Sequence, residues 1–90
     1  IVDGPLALDN AVSPESARIK GIRSPVAGWA DILIMPDIEA GNVFYKTLVY
    51  MASACCASIV AGAGAPVVLT SRSDSHASKF YSLALGIAVS

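Results

Sequence analysis

The run Ala30-Asp31-Ile32-Leu33-Ile34-Met35, cut off by Pro36, constrains this chain more than any other stretch. Its branched apolar side chains and its length are those of a buried strand, and proline ends it because it brings no N–H to a ladder. A polar turn, Asp37 to Gly41, then leads into Asn42 to Ala54. There Val43, Lys46, Thr47 and Tyr50 fall on one side of a helix and Phe44, Leu48 and Met51 on another. Strand, turn and helix thus follow one another.

The rest of the chain can be read the same way. Ile1 to Leu8, with Gly4-Pro5 inside it, is expected to be an irregular strand. Ser13-Pro14-Glu15 starts a helix, since serine can cap free backbone N–H groups while proline at the first turn costs no hydrogen bond. Gly21 closes that helix, and Ser24-Pro25 to Gly28 is a loop. Ala57 to Ala61 and Pro66 to Thr70 are two further candidate strands, separated by Gly62-Ala63-Gly64-Ala65. A last helix is expected from Ser75 to about Val89, with Phe80, Leu83 and Ile87, and Tyr81 and Leu85, supplying the apolar spacing. Alternating strands and helices predict an α/β layered structure with at least part of its sheet parallel.

Composition narrows what such a structure can do. With 54% hydrophobic and only 14% charged residues among 90, the chain is greasy for a small free-standing domain and suits one piece of a larger core or one face of an oligomer. The net charge of −1 and the scattered Arg18, Lys20, Arg23, Lys46, Arg72 and Lys79 give no footprint for nucleic acid. Met51 to Leu69 is apolar enough to suggest a membrane span, but glycines, serines and Pro66 break it into shorter elements, so no span is expected. The opening Ile1-Val2-Asp3-Gly4 reads as the middle of an open chain rather than a signal peptide. Cys55 and Cys56 are adjacent and have no spaced partners for zinc, so no metal site is expected and a reducing, cytoplasmic setting is.

Three segments could carry chemistry. In Val68-Leu69-Thr70-Ser71-Arg72-Ser73-Asp74-Ser75 a strand runs into a polar turn just before a helix, where free N–H groups favour an anion. Arg72 adds a planar fork suited to phosphate. The same residues also fit a plain helix cap by Asp74 or Ser75 with Arg72 in a surface ion pair. In Pro36 to Lys46 the polar residues Asp37, Asn42, Tyr45 and Lys46 make a candidate substrate site, with capping by Asp37 and Glu39 as the competing use. Asp3 to Val12 offers Asp9-Asn10 within apolar surroundings, where a structural turn is the simpler reading. His76, the lone histidine, could act as a base beside the anion turn or stand as a solvated bystander.

Taken together and in order, DGPLALDNAVS at 3–13, SPVAG at 24–28, ADILIMPDIEAGNVFYKTLVY at 30–50 and APVVLTSRSDS at 65–75 resemble the C-terminal portion of the phosphate acetyltransferase and phosphate butyryltransferase family, the butyryltransferase branch most of all. The resemblance implies a three-layer α/β/α fold like that of the isocitrate and isopropylmalate dehydrogenases, in a two-domain enzyme several times longer than this chain. Residues 1–63 would belong to the middle domain and 64–90 would return to the first. It implies exchange of an acyl group between coenzyme A and phosphate, with both as substrates and no further cofactor, in a homodimer. Ser71 and Arg72 match the pair that holds phosphate or acyl phosphate, and Asn42, Tyr45 and Lys46 match the GN-x-x-YK segment that lines the substrate cleft. Asp74 is the candidate base, because it lies in the turn, where an acid could take the thiol proton; in the acetyltransferase branch the proposed base falls a few residues further along, near Ser78 here, which cannot serve.

Departures at Gly64, Trp29 and His76 bear on the choice of acyl group. An inactive association module and the phosphate acyltransferase of lipid synthesis are the competing readings. The LTSRSDS and GNVFYK segments look closer to the butyryltransferase branch than to the latter.

Overall fold

The computed structural model describes residues 1–90, in two compact units, Ile1–Pro36 and Asp37–Ser90. The first unit holds two short helices, α1 (Leu8–Val12) and α2 (Pro14–Ile19). Ser13 serves both: its N–H donates to Asp9 O at the end of α1, and its Oγ accepts from Ser16 N–H at the start of α2. Pro14 occupies the first turn, as the Ser-Pro-Glu pattern predicts. Gly21 follows α2 with a φ of +66°, a backbone state that glycine adopts without a Cβ clash.

Past Ser24 the chain folds back over the α1–α2 junction. Gly28 N–H donates to Asn10 O at 2.7 Å and Ala30 N–H to Ala11 O at 3.1 Å. A Cβ at Gly28 would lie 2.6 Å from Pro14 Cα, and φ there is +85°, so this crossing requires glycine. Ala11, Ala17 and Ala27 form the small core beneath it. On the surface, Lys20 Nζ donates to Asp9 Oδ2 at 2.6 Å, and Ser16 Oγ donates to the same oxygen. The lysine bond, then the serine bond, hold the Asp9 carboxyl at about 2, below its ordinary 3.8. α1 was not foreseen: the sequence reading put an irregular strand and a turn over this segment, but Ile1 to Ala7 form no strand.

The second unit contains α3 (Ile38–Tyr50) and α4 (His76–Ala88). α3 starts four residues ahead of the expected Asn42, because Asp37 caps it by accepting Ala40 N–H at 2.7 Å. Gly41, read as part of a turn, is helical, its N–H bonded to Asp37 O at 3.1 Å. A capping carboxylate is worth about 1 kcal/mol, enough to offset the roughly 1 kcal/mol that glycine costs in a helix. α4 matches its expected span, with Ser75 Oγ accepting Ser78 N–H at 3.1 Å.

The side of α4 that packs within these 90 residues is not its apolar one. Phe80, Leu83 and Ile87 are exposed, while Ser78, Ser82 and Gly86, spaced one turn apart, are buried. Small side chains let the backbone come close: a Cβ on Gly86 would lie 2.7 Å from Val68 Cγ2. Ser82 Oγ, in a residue only 1% exposed, donates to Ser78 O at 2.7 Å and accepts Ser58 N–H at 3.0 Å.

No strand forms, which corrects the expected strands at 30–35, 57–61 and 66–70 and the parallel sheet built from them. The one β contact is an isolated antiparallel bridge between Val60 and Val67. A strand exists only through pairing and the cover of its faces. Within these 90 residues Ile32 and Ile34 have neither, being 78% and 87% exposed. No helix is long and apolar enough to cross a membrane.

Candidate functional site

The second unit brings together four of the residues singled out in the sequence. Val68 to Thr70 lead into a tight turn in which Asp74 N–H donates to Ser71 O at 3.1 Å. The turn is closed a second time by Asp74 itself, whose Oδ2 accepts Ser71 N–H at 2.7 Å. Because Ser75 supplies the cap of α4, the Asp74 carboxylate is not spent on its own helix.

From α3, Tyr45 and Lys46 reach this turn. The Tyr45 hydroxyl donates to Asp74 Oδ1 at 3.1 Å, and Lys46 Nζ donates to Ser71 Oγ at 3.3 Å. Lys46 Nζ also lies 5.2 Å from the centroid of the Tyr45 ring and 5.7 Å from that of Tyr50, both within range of a cation–π contact. Burial, followed by the hydrogen bond to Asp74, pushes the Tyr45 phenol above its ordinary 10.0, so it stays protonated and remains a donor. Ser73 Oγ, 3.0 Å from Ser71 Oγ, completes the polar cluster.

The other candidates are placed differently. Arg72 projects from the turn, exposed and outside any ion pair, beside the start of α4. Its fork is open to a ligand. Asn42 is exposed one turn ahead of Lys46 on α3. Asp37 is occupied as the α3 cap and does not join the cluster. His76 begins α4 and is exposed. No group of histidine, cysteine and acidic side chains is arranged to hold a metal.

What this arrangement can do follows from its charges. Arg72 and Lys46 offer fixed positive charge, Ser71 and Ser73 offer hydroxyls, and the N–H groups opening α4 favour an anion. An apolar hollow of about 350 Å³, lined by Ile59, Val67, Gly86 and Val89 among others, lies at the opposite end of α4. At about 1.5 Å per residue the two ends of that helix are about 18 Å apart, so the hollow and the cluster are separate features. Ser73 and Tyr50 were not among the candidate site residues, and they join the cluster only through their distances from Ser71 and Lys46.

The chain is similar to several known proteins along nearly all of its length. The phosphate acetyltransferase of Thermotoga maritima is 66% identical over 85 residues, 94% of this chain and 29% of that protein. A probable phosphate butyryltransferase of Bacillus subtilis is 59% identical over 90 residues, 100% of this chain and 30% of its own length. The phosphate butyryltransferase of Clostridium acetobutylicum is 56% identical over 89 residues, again 30% of that protein. The crystal structure of a branched-chain phosphotransacylase from Enterococcus faecalis V583 superposes with a TM-score of 0.83 at 46% identity, over 93% of this chain and 32% of that one. This chain therefore shares the fold of that segment of an enzyme, and it spans less than a third of the length of these relatives. Residues 1–87 match the phosphate acetyl/butaryl transferase family, and the chain belongs to it.

Proposed function

We propose that this chain carries part of the active site of a phosphate acyltransferase, which converts acyl-CoA and phosphate to acyl phosphate and CoA, on short or branched acyl groups. The observation that carries this reading is the convergence of Lys46 on Ser71, next to the open guanidinium of Arg72. The two cations would take the phosphate of acyl phosphate, with Ser71 and Ser73 as hydroxyl donors and Asn42 on the approach along α3. The thiolate sulfur of CoA forms a bond to the acyl carbon while the bond from that carbon to the phosphate oxygen breaks. The phosphate leaves with the electron pair, its charge matched by Arg72 and Lys46. The names of the relatives, acetyl, butyryl and branched-chain, support the substrate class.

The same likeness supports a three-layer α/β/α setting in the longer enzyme, with residues 1–63 in its middle domain, 64–90 returning to the first, and two copies in a cytoplasmic dimer. There the exposed Ile32, Ile34, Leu83 and Ile87 would be covered. By itself the 90-residue chain would be inactive and would associate in solution through those faces.

The test is phosphate-dependent release of CoA thiol from acetyl-CoA and butyryl-CoA, run on the full-length enzyme and on residues 1–90. Turnover in the full-length enzyme alone is the expected result; no turnover in either sinks the acyltransferase reading.

A further inference from the structure

We propose that Tyr45 is a positioning residue of the acyl-transfer site: its hydroxyl holds the Asp74 carboxylate against the Ser71 turn, and Asp74 braces that turn instead of taking a proton. The inference rests on the phosphate-site reading of Ser71 and Arg72.

The geometry forms a closed circuit. The Tyr45 hydroxyl donates to Asp74 Oδ1 at 3.1 Å, Asp74 Oδ2 accepts Ser71 N–H at 2.7 Å, and Ser71 Oγ accepts Lys46 Nζ at 3.3 Å. The circuit returns to Tyr45, because Lys46 Nζ rests 5.2 Å from the centroid of the Tyr45 ring. One side chain therefore fixes both contacts that orient Ser71: the carboxylate at its amide and the ammonium at its hydroxyl.

The sequence alone casts Asp74 as the base that takes the thiol proton. Both Asp74 oxygens already accept hydrogen bonds, and protonation would weaken the two charge-assisted bonds together and loosen the turn. The phenol is suited to its part: burial and its contact with Asp74 push its ionisation up, so it is a donor throughout the neutral range. Tyr45 also sits on a helix capped at its start by Asp37, a firmer support than a loop would give.

The experiment uses the full-length enzyme, with acetyl phosphate or butyryl phosphate and CoA as substrates. Tyr45→Phe keeps the ring under Lys46 and removes only the hydroxyl. It is expected to lower kcat/KM for acyl phosphate about tenfold, the size of one hydrogen bond to a charged acceptor, with KM for CoA unchanged. Asp74→Asn, which can still accept from Ser71 N–H, is expected to lose about as much and to keep the acid limb of the kcat profile. Asp74→Ala is expected to lose more, so that asparagine counts as a partial rescue. The Tyr45→Phe/Asp74→Asn double variant should be no worse than either single one, because both break the same contact.

Loss of the acid limb together with about a thousandfold fall in kcat for Asp74→Asn, with Tyr45→Phe silent, would overturn the inference and make Asp74 the base. Strictly additive losses would overturn it as well. Arg72→Ala, assayed in parallel, separates this failure from a deeper one: an unchanged KM for acyl phosphate in that variant removes the phosphate site itself.

Discussion

The chain opens two long helices with an aspartate in the turn, and it uses the two aspartates in different ways. Asp37 turns its carboxylate onto Ala40 N–H and is consumed in starting α3. At α4 the cap is Ser75, one residue later, and Asp74 is left to accept from Ser71 and from Tyr45 of another element. The sequence around both allows either use, and in each the local pattern is an acid or hydroxyl ahead of a helix. What separates a cap from a site residue is whether a neighbour has already satisfied the helix.

Arg72→Ala in the full-length enzyme sharpens this contrast most. Removal of a fixed positive charge aimed at phosphate should lower kcat/KM for acyl phosphate about a hundredfold, mostly through KM for acyl phosphate, with thermal stability unchanged. Steady-state kinetics with a melting curve on the same sample checks both halves. Asp37→Ala should do the opposite: lower stability by about 1 kcal/mol, the value of a lost N-cap, and leave KM for both substrates close to wild type. If Asp37→Ala instead raised KM for phosphate by tenfold at unchanged stability, the division between the two turns would collapse.

A third aspartate gives a smaller, pH-dependent effect. Asp9 is held at about 2 by Lys20 and Ser16, below its ordinary 3.8. A depressed carboxyl contributes stability that is complete above its unfolded value and is lost as pH falls through the folded one. The contribution of Asp9 should therefore fade between about pH 4 and about pH 2, and Asp9→Asn should flatten that part of a melting-temperature profile. An unchanged acid limb in the variant would show that the Asp9–Lys20 pair contributes nothing measurable, a common result for exposed ion pairs.

Local chemistry explains what was legible from sequence. Ser13-Pro14 and Ser75 mark helix starts because capping is decided within four residues, and both stand where the pattern put them. Position along the chain also placed Ser71 and Asp74 in one turn. Sequence could not show that Tyr45 meets Asp74, 29 positions away, since nothing local records that distance. Nor could it show which side of α4 packs within these 90 residues. Apolar spacing points to Phe80, Leu83 and Ile87, yet close approach to Val68 selects Ser78, Ser82 and Gly86. The apolar runs at 30–35, 57–61 and 66–70 look like strands because their composition suits burial. Composition cannot supply the neighbouring strand that pairing requires.

The bond from Ser58 N–H to Ser82 Oγ makes one backbone amide a reporter. Ser58 belongs to no helix and no strand, and an amide in such a stretch ordinarily exchanges its hydrogen with water within seconds to minutes. Here exchange requires the contact between Ser58 and the Ser82 hydroxyl of α4 to open. Deuterium uptake at Ser58 thus measures how often this contact opens, and uptake at Ser58 in step with the amides of α4 would mark the segment and the helix as one cooperative unit.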